Sequence, residues 1–134
     1  MTLNQATDYA LRAVLFLAKQ PQGEVSEAQI IAHQEIVPMR FLLKIMPSLI
    51  KAGIVKSFRG VGGGYTLAKP PGEITFLDVV EAVEGPIAIN KCLTDYAYCT
   101  KHGAPACEIH SALADVQAKL RGELRALNFQ DLIR

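Results

Sequence analysis

The run Gly60-Val61-Gly62-Gly63-Gly64 constrains this chain more than any other segment. It separates Ile54-Val55-Lys56-Ser57-Phe58 from Tyr65-Thr66-Leu67. Two short runs of β-branched and aromatic residues on either side of a glycine turn predict a β-hairpin. Three consecutive glycines exceed what a tight turn requires, so the plain reading is a loose turn. Arg59 stands at its start.

The residues before the hairpin follow helical spacing. Asn4 or Thr7 can cap a first helix in which Tyr9, Ala10, Ala13, Val14, Leu17 and Ala18 recur on one face, and Pro21 and Gly23 end it. Ser26 is expected to begin a second helix, its hydroxyl satisfying an orphan amide, with Ala28, Ile31 and Ala32 inward. After the turn Gln34–Val37, Pro38 suits the first position of a third helix, where a missing N–H costs nothing. Phe41, Leu42, Ile45 and Leu49 form its apolar stripe and Gly53 closes it. Pro47 predicts a kink or break, because an internal proline removes a hydrogen bond and clashes with the carbonyl of Leu43.

Beyond the hairpin, Lys69-Pro70-Pro71-Gly72 interrupts the chain and Thr75 caps a helix holding Phe76, Val79, Val80 and Val83, ended by Gly85-Pro86. Residues 86–107 lack periodicity. A long last helix carries Ile109, Leu113, Val116, Leu120, Leu124 and Leu127 on one stripe. A stripe remaining after the core is closed usually faces a partner subunit. The order helix, helix, turn, helix, hairpin is that of a winged helix–turn–helix. The expected fold class is therefore mainly α with a small β-hairpin wing (α+β): a winged helix–turn–helix domain at 1–85, a cysteine-rich loop at 86–108, and a dimerisation helix with C-terminal tail at 109–134.

Charge separates along the 134 residues. Residues 1–70 carry eight Lys/Arg against four Asp/Glu, and residues 71–134 carry six against nine. No carboxylate lies between Glu35 and Glu73, an interval holding Arg40, Lys44, Lys51, Lys56, Arg59 and Lys69. An acid-free basic interval is a footprint for a polyanion, although a solvated lysine-rich face has the same composition. Met39, Arg40, Leu43 and Lys44 fall on the polar side of the third helix. Arg40 can offer a bidentate fork to guanine, Lys44 can reach a base or phosphate, and Leu43 suits a thymine methyl. At the hairpin, Ser57, Arg59, Gly60 and Gly62 can meet a narrow minor groove, since no side chains on Gly60 or Gly62 hold the backbone away. These residues point to double-stranded DNA.

The three cysteines, Cys92, Cys99 and Cys107, share one window and lead to His110 in a Cys-x6-Cys-x7-Cys-x2-His pattern. A structural zinc site usually has a close Cys-x2-Cys pair, which is missing. Widely spaced thiolates suit an iron–sulfur cluster better. Cys107 and His110 lie three residues apart, on one face of a helix start. Ordinary reduced thiols are the plain alternative, and His102 reads as a loop residue between cysteines. Gly103 and Pro105 shape the same stretch.

Several segments resemble the Rrf-type family of bacterial regulators: Thr7-Asp8-Tyr9-Ala10-Leu11-Arg12, Leu49 with Lys51-Ala52-Gly53-Ile54-Val55, the wing from Ser57 to Tyr65, and Ile74-Thr75 followed by Asp78-Val79 and Glu81-Ala82-Val83-Glu84-Gly85. The resemblance covers nearly the whole chain. It implies a homodimer whose last helix crosses to the partner, recognition by the third helix, and minor-groove insertion of Arg59. It also implies that the three cysteines hold a cluster. His110 matches the fourth ligand of one branch, which favours a 2Fe–2S cluster. Asp8 matches the fourth ligand of another, taken from the opposite subunit, with 4Fe–4S as its consequence. One branch has a glutamate where this chain has Leu43, so the target sequence does not transfer.

The function expected is a DNA-binding regulator, in the first instance a repressor, sensing redox state, nitric oxide or cluster supply. A cluster-free regulator acting through a protein partner is the main alternative. A small electron carrier would leave the basic hairpin without a use, and a thiol enzyme lacks both a redox pair and a base beside its nucleophile. No catalytic residues and no small-molecule substrate are expected. Asp8 and Arg12 interrupt the N-terminus as a secretory signal, and the longest charge-free run, Gly60 to Ala68, is glycine-rich rather than membrane-spanning, so the cytoplasm is the expected location.

Overall fold

A computed structural model describes residues 2–95, 97, 100 and 107–133. Helices α1 (Gln5–Ala18), α2 (Ala28–Glu35) and α3 (Met39–Lys51) precede strands β1 (Val55–Phe58) and β2 (Gly64–Leu67); α4 (Phe76–Glu84) and α5 (Glu108–Ala126) follow. The strands pair antiparallel, with Val55 opposite Leu67 and Phe58 opposite Gly64. This is a mostly helical winged-helix architecture, as expected. Among the described residues no helix is long and apolar enough to cross a membrane.

The core forms where α1 meets α3 and α4. Ala10, Ala13 and Val14 are fully buried on α1, against Leu42, Met46 and Leu49 from α3 and Val79 from α4. Small alanines let α1 lie close to its neighbours. Asn4 caps α1 by accepting from the Thr7 amide at 2.8 Å. Thr7 is itself buried, and its hydroxyl donates to Glu84 Oε2 at 2.5 Å, joining the start of α1 to the end of α4. Thr75 and Asp78 cap α4 reciprocally, each side chain accepting from the other's backbone amide.

Three local expectations change. Ser26 does not cap α2. It precedes the helix, and its backbone exchanges two 2.8 Å hydrogen bonds with Tyr65 of the wing, while Glu27 occupies the cap position without a side-chain bond. Pro38 is the cap residue of α3 rather than its first helical residue. Pro47 does not break α3, which runs through it to Lys51. Pro47 and Leu43, one turn apart, are both exposed, so water can satisfy the carbonyl that the proline leaves without a donor.

The segment after α5 returns to the N-terminal body. Phe129 is completely buried and stacks on Phe76 with ring centroids 5.0 Å apart. The Phe76 amide donates to the Leu127 carbonyl, and the Phe129 amide to Ile74. Leu132 and Ile133 pack against the same core.

Two stability predictions follow from this packing. Phe129→Ala should cost about 3–5 kcal/mol in urea unfolding, as for a large aromatic removed from a core; an unchanged midpoint would make the tail dispensable. Ile36 ends α2 in the left-handed region at φ 54°, yet is 82% exposed and loses no packing when truncated. That conformation costs an L-residue about 1–2 kcal/mol, and glycine's extra freedom when unfolded offsets roughly 0.4–1. Ile36→Gly should therefore raise stability by up to about 1 kcal/mol. A loss of that size would refute strain at this turn.

Candidate nucleic-acid interface and cysteine segment

The exposed side of α3 presents Arg40, Leu43 and Lys44, while Leu42, Ile45, Met46 and Leu49 face inward. The Arg40 guanidinium lies 5.1 Å from the Phe41 ring centroid, which steadies it at the start of the helix. Met39 differs from the other three residues expected on this face. It is half-buried and packs on the core, so it supports the helix start more than it offers a contact.

The turn before α3 is braced by Arg12. One guanidinium nitrogen donates to the Glu35 carbonyl at 3.3 Å, satisfying an orphan acceptor at the end of α2, and the other donates to Asp8 at 2.7 Å. The same group lies 5.5 Å from the Tyr9 ring centroid. Asp8 is thus engaged in an ion pair within its own helix.

The wing tip projects Arg59, Gly60, Val61 and Gly62 into solvent, and Ser57 is exposed on β1. Its glycines are required, contrary to the loose-turn reading. Gly60 and Gly62 take φ of +88° and +78°, which L-residues rarely adopt. A Cβ on Gly63 would strike the Phe58 carbonyl and approach the Gly60 carbonyl to 2.9 Å. One on Gly64 would strike the Ser26 carbonyl and come within 2.6 Å of its carbon. The run is a tight tip followed by a close backbone crossing. Val61 went unremarked in the sequence; it is the fully exposed apolar residue at the tip, and its position between glycines was the available signal.

Among the described residues the ion pairs are Arg12–Asp8 and Arg121–Glu81. Arg40, Lys44 and Arg59 enter neither, so their charge remains available to a polyanion.

The cysteine segment begins under restraint. The Ile87 amide donates to Glu81 Oε2 and the Ile89 amide to Gln117 Oε1, each at 3.1 Å. Glu81 also pairs with Arg121 at 3.1 Å, so side chains from α4 and α5 hold the same stretch. Cys92 is buried in a short 3-10 turn, Lys91–Leu93, that packs against α5, and Asn90 Nδ2 donates to its sulfur at 3.3 Å. Cys107 immediately precedes α5 and His110 lies on its first turn, both half-buried. Cys99, His102, Gly103 and Pro105 lie outside the described residues. Among those described, no three His, Cys, Asp or Glu side chains converge as metal ligands.

On α5 the expected stripe divides. Ile109 and Val116 are 67% and 54% exposed, Leu127 is exposed at the helix end, and Leu113 is half-buried. Leu120 and Leu124 instead pack on Leu77, Val80 and Ile87 of the same chain. None of the nineteen residues of α5 is buried.

Comparison with known proteins places this arrangement. Residues 3–134 match the Rrf2 family model, described as an iron-dependent transcriptional regulator. A protein of Rhodobacter capsulatus, named as an rrf2-like HTH-type transcriptional regulator, is 35% identical over 137 residues, covering 98% of this chain and 91% of that relative. The structure of CymR (YrzC), the global cysteine regulator of B. subtilis, is similar with a TM-score of 0.70 and 28% identity, over 98% of this chain and 95% of that one. T. potens IscR shares the fold with a TM-score of 0.76 at 23% identity, over 98% of this chain and 85% of that one. The family's members are transcriptional regulators rather than enzymes. With its sequence matched almost end to end and its wing and helices in the same order, the chain belongs to the Rrf2 family of transcriptional regulators.

Proposed function

We propose that this protein is a homodimeric regulator, acting as a repressor in the cytoplasm, that reads double-stranded DNA with α3 and the wing and adjusts its affinity through an iron–sulfur cluster. The observation that carries the DNA reading is the wing tip. Four glycines hold Arg59 and Val61 outward, and the adjoining basic interval contains no carboxylate. In this reading Arg40 and Lys44 meet base edges and phosphates in the major groove, Leu43 meets an apolar base edge, and Arg59 enters the minor groove. Ser57, Gly60 and Gly62 let the backbone follow the phosphates closely, and Met39 positions the helix start.

The dimer reading rests on α5. A nineteen-residue helix with no buried residue and with Ile109, Leu113 and Val116 at least half exposed or partly open needs a covering surface. A second copy supplies it with the same stripe, as two-fold symmetry requires. Leu120, Leu124 and Leu127 then border the contact while anchoring the helix to its own body.

For the cluster, the donor chemistry fits: three thiols and an imidazole in one segment, with an amide already donating to one sulfur. Cys92, Cys99, Cys107 and His110 would hold it. His110 is preferred to Asp8 because the Asp8 carboxylate is occupied by Arg12, and this favours 2Fe–2S over 4Fe–4S. The cluster, when bound, supplies a group that responds to redox change or nitric oxide. The chain's own part is to transmit whether the segment is ordered: Glu81, Gln117 and Arg121 tie its start to α4 and α5. A second reading, a cluster-free regulator acting through a protein partner, gains from the similarity to CymR.

Arg59→Ala should weaken binding to duplexes selected from a random library, and should reduce the slope of log K against log salt by about one. Unchanged affinity and slope would remove the wing from the interface. Anaerobically purified Cys107→Ala should lose iron and sulfide while native mass spectrometry still finds a dimer. Full iron in that variant would sink the ligand assignment, and a colourless wild type after reconstitution would favour the cluster-free reading.

A further inference from the structure

A cavity of about 690 Å³ opens on the flank of the wing. Its walls come from the end of α1, from both strands, from the Pro70–Pro71 turn and from the C-terminal segment at Gln130 and Ile133. Lys19, Lys56 and Lys69 line it, one from each of three separate segments. Among the described residues no Asp or Glu lines it, although Glu24, Glu73 and Asp131 lie close by in sequence. None of the three lysines belongs to an ion pair among the described residues. Phe58, Leu67 and Pro71 add apolar surface beside the polar Gln20, Gln22, Thr66 and Gln130, and Phe58 is 49% exposed.

We propose that this cavity binds a small organic anion whose charged end meets the lysines and whose apolar body lies against Phe58, Leu67 and Pro71. The volume falls within the roughly 300–1,000 Å³ typical of small-molecule sites. Cations gathered around a concave, low-dielectric wall concentrate positive potential inside it and draw in anions. A DNA phosphate satisfies the lysines equally well, but the apolar surface of Phe58, Leu67 and Pro71 offers a phosphodiester backbone nothing. Lys56 and Phe58 belong to β1, whereas Lys19 and Gln130 belong to the body, so an occupant bridges the wing to the body. The inference does not depend on the cluster or on the dimer.

The test is a ¹⁵N–¹H correlation titration of the full chain with 2-naphthoate, salicylate and octanoate in turn, with neutral 2-naphthamide as control. Saturable shifts centred on the amides of Gly23, Lys56, Thr66 and Lys69 are expected for at least one anion. Naphthamide, and the folded double variant Lys56→Gln/Lys69→Gln, should bind about tenfold more weakly, a difference of about 1.4 kcal/mol. Absence of saturable shifts with all three anions overturns the proposal, as does equal binding by the double variant. If no anion binds while that variant loses duplex affinity and salt slope, the lysines are phosphate contacts and the site is part of the DNA track.

Discussion

The geometry of the candidate DNA-reading face depends on one short crossing, where the backbone of Ser26 exchanges two hydrogen bonds with Tyr65. Those bonds fasten the second strand of the wing to the residue that precedes the cap of α2. Through α2 and the turn braced by Arg12, they set the wing relative to α3. The approach is possible only because Gly64 has no side chain; a Cβ there would overlap the Ser26 carbonyl. A two-stranded hairpin is marginal alone. Here Ser26 acts as a one-residue third strand, and Leu67 and Tyr65 pack on the core. The wing thus inherits its rigidity from the helix–turn–helix.

The sequence disclosed most of this architecture because its signals were periodic. Apolar spacing in α1 and α3, the Thr75 cap and the glycine turn each located an element within a residue or two. Ser26 misled because a serine before an apolar helix ordinarily caps it, and the competing use, a backbone bridge to a strand forty residues away, leaves no local mark. Pro47 misled because the cost of an internal proline depends on exposure. On a solvent-facing turn the freed carbonyl finds water, and the remaining bonds carry the helix through. Phe129 was illegible for another reason: a lone aromatic in a short aperiodic tail has no spacing to reveal that it completes a core.

The candidate interface was legible in charge and in glycine content, while the cysteine segment was legible in composition only. Arg40, Lys44 and Arg59 stand exposed where the pattern placed them. Met39 does not, since its side chain packs on the core. The α5 stripe was one feature in sequence and two in space, because a heptad-like spacing cannot tell an intramolecular neighbour from a partner subunit. Leu120 and Leu124 seat the helix on Leu77 and Val80, and the N-terminal half is left uncovered.

That division gives α5 a lever-like character with a defined fulcrum. Its C-terminal half is held by Leu120, Leu124 and the Arg121–Glu81 pair, and the carbonyl of its cap residue Leu127 accepts from the Phe76 amide. Its N-terminal half carries His110 and the exposed Ile109 just after Cys107, and the Cys92 turn packs against the helix. Whatever orders or releases the cysteine segment therefore acts on the half of the helix that is least anchored. Glu81 accepts from the Ile87 amide with one oxygen and from Arg121 with the other, so the base of that segment and the fulcrum share a single carboxylate. Coupling between a cysteine site and a DNA face requires an element with two arrangements that both sites bias. The uncovered half of α5 is the candidate for that element, and the core closed by Phe129 is the more tightly packed part of the chain.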